Sequence, residues 1–420
     1  MKMVLIGAGQ RGRIYADYIH DKGYADTAAI VEPDAERRAY AAEYLGVRKE
    51  YCFESEEELW RLGNIADVAI IATMDRDHYR QAMKALEFGY DLILEKPISH
   101  DAAECLAIRR KAEETGRKVV VCHVLRYTPF FTLLKYILDS GELGRIISIR
   151  HEENIGNFHM AHSFVRGNWR RVDSACPIIL AKSCHDMDIL VWLTGSCAKS
   201  ISSVGGLKYF TLENAPKNSA ERCADCAAEG GCRFSAYKCY MSMLGEWPAT
   251  VVSLIQTEDE IKNALAKGPY GRCVYRCDND VCDNQTTLIE FENSVAVNFG
   301  MSAFTNRMNR DIRVLCEDGE ISGDDESGRI TITRFASNSK SQYEERIINA
   351  GRARSGHGGG DTGIVDEYFK TEAQDGTEVR SSIAQSVESH IMAFAAEKSR
   401  LENGARVDVA AFRENLLKSF

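Results

Sequence analysis

A short apolar run, residues 2–6, meets the glycine pattern Gly7-Ala8-Gly9-Gln10-Arg11-Gly12, and helical periodicity takes over from Arg13. No other feature restricts the fold as much. Strand, glycine turn and helix in this order form a dinucleotide-binding unit. Gly7 permits the tight turn, Gly9 lets the backbone approach a pyrophosphate, and Gly12 lets helix and strand pack closely. The phosphates would sit at the helix N-terminus, where free amides and the helix dipole favour anions. Gly7, Gly9, Gln10, Arg11 and Gly12 are therefore candidate cofactor residues.

A glycine pattern alone is weak, and its surroundings strengthen it. A second apolar strand, 27–31, ends at Glu32, about 20 residues past Gly12, where a ribose-binding acid is expected. A carboxylate there accepts from ribose hydroxyls and repels a 2′-phosphate, which favours NAD over NADP. Strands at 67–72, 92–94 and 119–121 alternate with helical stretches at 78–88 and 102–114. That alternation specifies a doubly wound parallel sheet of the Rossmann type. Ligands of such sheets lie past the strand C-termini. Thr73, Met74, Asp75, His78, Glu95, Lys96 and His123 fall there. Glu95-Lys96-Pro97 forms a stiff charged corner, and a lysine so placed can donate to a hydroxyl or carbonyl.

The chain has 420 residues, enough for two large domains. We expect a nucleotide-binding domain over 1–122 and a second domain over 123–420, with a cysteine-rich insertion at about 213–245. The net charge of −10, with no dense basic block, argues against nucleic acid and anionic membranes as partners. The apolar start is too short for a signal core, and no run is long enough to span a membrane, so a cytoplasmic location is expected. In such a reducing compartment fourteen cysteines suggest free thiols or metal ligands.

In the second domain, residues 178–193 carry helical spacing between Pro177 and Gly195. Lys182, His185 and Asp186 would share one face of that helix. Such polar groups on an apolar helix are costly unless they meet a cavity or partners. A loop at 162–170 offers His162, Trp169 and Arg170, residue types that grip a nucleotide or stack on a sugar. Asp283 and Gln285 precede a strand at 287–291 and suit either sugar hydroxyls or a turn. Further strands are expected at 294–299 and 329–333, a polar loop over 337–361, and a helix over 385–401. The glycine-rich run 355–361, with His357 and Asp361, suits a substrate loop. Cys223, Cys226, Cys232 and Cys239 have the spacing C-x2-C-x5-C-x6-C, which suits a structural zinc. An iron–sulfur cluster would use similar ligands. With no sign of electron transport, zinc comes first. Cys273, Cys277 and Cys282 form a looser second group.

Taken together, GAGQRG at 7–12, Glu32, EKP at 95–97, Arg126-Tyr127-Thr128-Pro129, Gly141-Glu142-Leu143-Gly144 and the stretch 185–193 resemble the Gfo/Idh/MocA oxidoreductases over about the first 200 residues. The resemblance implies an α/β protein: a Rossmann domain and a C-terminal α/β domain with a large, mainly antiparallel sheet. One face of that sheet would cover the nicotinamide and often mediates oligomer contacts, so a homodimer or homotetramer is expected. The implied substrates are sugars, sugar derivatives and cyclitols. Lys96 carries over as a catalytic lysine that also touches substrate, and His185 as a catalytic or substrate-binding histidine. Trp169 and Arg170 would lie beside the cofactor, Arg126 would serve cofactor and substrate, and Tyr127, His162, Asp186, His357 and Asp361 would line the substrate site. One departure is clear: many members have an aspartate four residues before the histidine, and here that position is Ala181. Lys182 is expected to replace it as a proton donor, with Lys96 nearby lowering the pKa of one of the two amines. The leading reading is an NAD-dependent dehydrogenase of CH–OH groups. The alternatives are a redox-neutral NAD-dependent glycosidase and a non-catalytic NAD-binding scaffold.

Overall fold

The computed structural model describes residues 1–338, 340, 342–351, 356–372 and 379–418, with the side chains of 356, 357, 371 and 372 outside that description. The first sheet contains β1 (Lys2–Ile6), β2 (Asp26–Val31), β3 (Cys52–Phe53), β4 (Val68–Ile71), β5 (Asp91–Leu94) and β6 (Val119–Val121). Their order is β3-β2-β1-β4-β5-β6, and every pairing is parallel. Helices on both faces bury these strands, so β4 and β6 read as unbroken apolar runs rather than alternating ones. The order reverses between β1 and β4, and the crevice at that point is where such sheets take a nucleotide.

The second sheet contains β7 (Ile146–Asn154), β8 (Ala198–Gly206), β9 (Asn284–Phe291), β10 (Ala296–Ser302), β11 (Asn309–Cys316), β12 (Gly319–Asp324), β13 (Arg329–Arg334), β14 (Glu344–Asn349) and β15 (Val407–Asp408). Their order is β14-β13-β12-β11-β7-β10-β9-β8-β15, with β7 and β10 parallel and the other described pairs antiparallel. Burial alternates along β9: Gln285, Thr287, Ile289 and Phe291 point into the core while Thr286 and Leu288 face out. One face of the sheet is thus packed and the other open. The helix Ile383–Leu401 packs against β8 and also against the helices Cys184–Thr194 and Ala102–Thr115. It touches both halves of the molecule, and most of its residues are buried, as a helix between two layers must be.

Four sequence expectations change in the structure. The strand expected at 294–299 starts and ends later, as β10. The stretch read as loop over 337–361 contains β14. The segment 162–170 is no open loop: Met160–Arg166 forms a wide π-type helix with every residue buried. The helix expected over 178–193 is two pieces, Ile178–Ala181 and Cys184–Thr194, broken at Lys182 and Ser183. The break has a physical cause. Lys96 Nζ donates to the Ala181 carbonyl at 2.9 Å, the acceptor that an unbroken helix would present to the His185 amide.

Candidate active site

The glycine cradle has the shape a pyrophosphate needs. Gly7 has φ +92°, and a Cβ there would meet the Ala72 carbonyl oxygen at 2.6 Å. A Cβ on Gly12 would lie 2.0 Å from the Gly7 oxygen, so only glycine lets the helix Gln10–Asp21 seat on β1. Gly9 caps that helix with no side-chain bond, and a Cβ there would meet nothing within 4 Å. Unclaimed space over an uncapped helix start fits an anionic ligand. Glu32, buried at the end of β2, accepts from the Ala8 amide at 2.9 Å and from Arg37 at 3.0 Å. The acid expected to bind the ribose thus touches the glycine loop itself. These residues fit a nicotinamide dinucleotide.

Beyond β4, Thr73 Oγ1 donates to Gln81 at 2.6 Å, and the buried His78 ring lies between the Pro97 and Thr73 carbonyls, 2.7 and 3.3 Å away. His78 therefore ties together the loops after β4 and β5 rather than facing a ligand. Trp169 Nε1 donates to Asp75 at 3.2 Å and Asn168 lies 3.9 Å from the Met74 sulfur. That contact brings Trp169 and Asn168 against the loop that follows β4. Arg170 turns away to Asp278 at 2.9 Å.

After β5, Glu95 and Lys96 separate. Glu95 Oε1 accepts from Arg11 Nε at 2.7 Å and from Tyr15 at 2.8 Å, while Arg11 Nη2 pairs with Asp361 at 2.6 Å. Burial raises the Glu95 carboxyl, but Arg11 and then Lys96 outweigh it and hold it below the usual carboxylate range. Arg11 and Asp361 therefore form a brace under the corner, not the pyrophosphate and substrate contacts expected of them. The His357 side chain lies outside the described residues. Lys96 reaches across to the second domain and lies within electrostatic range of His123, His390, Cys184 and Lys182.

On the far side, Lys182 Nζ lies 3.4 Å from Glu153 of β7. Burial lowers the Lys182 ammonium. Glu153 opposes that, while Arg310 and then Lys96 add to it. The effect expected of Lys96 on its neighbour is present, though small beside burial. Glu153 is raised to about 7, first by burial, with Arg310 and Lys182 pulling the other way. Arg310 of β11 pairs with Glu153 and donates to Asp186 at 2.8 Å, and His151 Nε2 lies 2.8 Å from the same Asp186 oxygen. Burial would raise Asp186, yet Arg310 and His151 hold it far below its usual value. Asp186 is thus a wholly buried counter-ion, not a substrate contact.

His185 sits in the first turn of the helix Cys184–Thr194, buried, with its ring edge-on to His123 at 5.7 Å. His123 packs likewise on His390 at 5.4 Å. His390 Nε2 accepts from the Ile98 amide at 2.9 Å, so its Nδ1 carries the proton that reaches the Ser386 carbonyl at 3.0 Å. Burial lowers His390 to about 3 and, with Arg126, puts His123 well below its usual value. The stack beside Lys96 therefore contains two neutral imidazoles.

Several expected ligand contacts are committed elsewhere. Arg126 makes a bidentate, buried pair with Asp188 at 2.6 and 2.7 Å and donates to Gln385 at 2.7 Å. Tyr127 donates to Glu367 at 2.7 Å. His162 bonds Tyr240 at 2.9 Å and stacks on Tyr270, inside the cysteine-rich insertion. Conversely, Glu153, Arg310, His151 and His390 are not singled out by the sequence as site residues. The one available signal was in β7, where His151 and Glu153 occupy the alternating positions that a half-buried strand turns inward. The expected zinc set also fails to assemble: among the described residues no three His, Cys, Asp or Glu side chains are grouped to hold one metal ion.

With this geometry in hand, the chain can be placed among known proteins. Residues 1–123 match a family model described as "Oxidoreductase family, NAD-binding Rossmann fold", and residues 135–407 match its companion, "Oxidoreductase family, C-terminal alpha/beta domain". YteT of Bacillus subtilis, provisionally named an oxidoreductase, is 21% identical over 335 residues, 76% of each chain. Inositol 2-dehydrogenase of Corynebacterium glutamicum (strain ATCC 13032) is 26% identical over 203 residues, 48% of this chain and 56% of that protein's length. Among solved structures, an inositol dehydrogenase homologue of Azotobacter vinelandii complexed with NAD+ matches with a TM-score of 0.69 at 16% identity, covering 97% of both chains. A levoglucosan dehydrogenase bound to NADH and levoglucosan matches with a TM-score of 0.68 at 19% identity, covering 97% of this chain and 99% of that one.

Proposed function

The chain belongs to the Gfo/Idh/MocA oxidoreductase family, and from that premise we propose that it oxidises a secondary alcohol of a sugar, sugar derivative or cyclitol with NAD. One observation carries the reading. The Lys96 bond to the Ala181 carbonyl meets the break in a helix and sets the lysine that follows β5 near Lys182, His123 and Cys184. A bare Rossmann scaffold would not require that meeting of charges between domains.

Gly7, Gly9, Gln10 and Gly12 would hold the pyrophosphate, Glu32 the adenine ribose, and Met74, Asp75 and Trp169 the edge next to the nicotinamide. Bound NAD supplies the hydride acceptor. Lys96 orients and polarises the substrate oxygen through its ammonium. His185 binds the same or a neighbouring hydroxyl. Lys182, its ammonium destabilised by burial, passes a proton to Glu153 at 3.4 Å and takes the hydroxyl proton in its place. Glu153 thereby takes up the acid role that Ala181 leaves empty. Glu32 disfavours a 2′-phosphate, so NAD is the preferred dinucleotide.

Leu288 and Val204 stand exposed on the open side of the second sheet, and we assign that face to a homo-oligomer contact. No helix among the described residues is long and apolar enough to cross a membrane. All fourteen cysteines are free thiols, which suits a reducing, cytoplasmic setting. The test of function is NADH formation from a panel of cyclitols and free sugars, with Lys96→Ala alongside. Turnover by the native chain and its collapse in the variant support the reading. Equal turnover by both would sink it.

A further inference from the structure

The segment between β8 and β9, residues 207–283, builds a small body of its own around Cys223, Ala236, Tyr240, Ile261 and Leu265. Beside that core lies a cavity walled by four cysteines: Cys223, Cys226, Cys232 and Cys273. The fourth is not the one the sequence spacing suggests. Cys239 belongs to the helix Ala236–Met241 and does not line the cavity. Cys277 turns its thiol to the Cys273 carbonyl at 3.2 Å.

The backbone brings the four together. An antiparallel bridge pairs Arg222 with Arg272, and the Cys273 amide donates to the Glu221 carbonyl at 2.9 Å. Cys223 and Cys273 therefore lie diagonally across that bridge, on the same face, although 50 positions apart. From Cys223 the chain winds through consecutive tight turns: Cys226 donates to Cys223, Glu229 to Cys226, and Cys232 to Glu229. Cys226 and Cys232 are thus delivered to the same wall. Arg166, fully buried at the end of the π-type helix, is fixed by the Arg272 and Phe234 carbonyls at 2.7 Å each and lies 3.8 Å from the Cys223 sulfur. A guanidinium buried against thiols, with no carboxylate on it in these bonds, suits a site that becomes negative when filled.

The spread of the thiols bears on what fills the site. Four sulfurs about 2.3 Å from a single zinc would close on the ion. Here a cavity of about 20 Å³ stays open among them. No single-ion group is present among the described residues. In a cubane cluster with iron–sulfur bonds of about 2.3 Å, like the zinc–sulfur bond, the thiolate sulfurs stand roughly 4 Å from the centre. We propose that Cys223, Cys226, Cys232 and Cys273 hold a [4Fe–4S] cluster, with Arg166 offsetting its charge, which fastens the insertion beside the substrate domain. Glu229, at the cavity wall, is kept from the thiols by its bond to the Ser235 hydroxyl.

The test is iron and acid-labile sulfide analysis of the full chain, purified without oxygen and also rebuilt with ferrous iron and sulfide. We expect about four iron and about four sulfide per chain, with a broad visible absorption that dithionite bleaches. Cys273→Ser and Cys232→Ser lose most of both, whereas Cys239→Ser keeps them. Unfolding followed by circular dichroism separates cluster loss from collapse of the chain. One zinc per chain with no sulfide overturns the proposal, as does a metal-free protein that refuses rebuilding. So does a cluster that Cys239→Ser abolishes and Cys273→Ser spares.

Discussion

Arg11 and Arg310 each lie among buried carboxylates, one beneath the cofactor edge and one beneath the substrate wall. Around Arg11, two acids, Glu95 and Asp361, meet two cations, Arg11 and Lys96. Around Arg310, three acids, Glu153, Asp186 and Asp325, meet two, Arg310 and Lys182. The second cluster needs one more proton to balance, and Glu153, raised to about 7, is the group placed to carry it. A balanced cluster braces. A cluster one proton short can exchange that proton with a substrate.

The largest expected effect is on the cation both clusters face. Lys96→Ala should lower turnover by about 10²–10⁴-fold while NADH binding, read by fluorescence, persists. Loss of binding with unchanged kcat would move Lys96 into the brace. Next, Arg310→Met leaves Glu153 and Asp186 without their shared cation and should cost about 3–5 kcal/mol in urea unfolding. Arg11→Met should cost less, about 1–3 kcal/mol, because the Arg11 side chain is 26% exposed and water can take over its partners. Equal costs would erase the distinction between the two clusters.

Glu153→Gln sharpens the proton argument. The folded carboxyl is raised to about 7 from the ordinary 4.5. Between those values the folded state binds more protons than the unfolded one, so this group's stabilisation is full below about 4.5 and fades as pH rises through about 7. Asp186 works in the opposite sense: held low, its stabilisation is present above its ordinary value and is lost toward strong acid. The variant should flatten the neutral-pH slope of stability. It should also remove a step near pH 7 in kcat for alcohol oxidation, where the acceptor form of Glu153 fills as pH rises. An unchanged profile would remove Glu153 from the proton path. The smallest effect is on specificity: Glu32→Ser should shift the NAD to NADP preference by about tenfold, the worth of some 1.4 kcal/mol, measured as the ratio of kcat/KM.

The first domain was legible because its signals are local. A strand, glycines at three fixed positions and an acid 20 residues on are all read within one βαβ unit, and five of the six strands follow from alternation, while the two-residue β3 carries no such signal. The Lys96 corner was readable for the same reason. The second domain was legible at the level of class, not of partners. Asp186, Arg126 and Tyr127 are polar residues whose sequence neighbours cannot reveal that Arg310, Asp188 and Glu367 satisfy them from far along the chain.

The sequence by itself determined the dinucleotide cradle, the acid that closes β2, the lysine that follows β5 and, through the family resemblance, a large, mainly antiparallel second sheet. Only the tertiary structure decided where the helix at 178–193 breaks, that Glu153 stands beside Lys182, and that Cys273 rather than Cys239 lines the cavity with Cys223. The reason is the range of the forces involved. Periodicity and turn chemistry act over a few residues, whereas the burial of a charge or thiol is settled by whichever distant group desolvates with it.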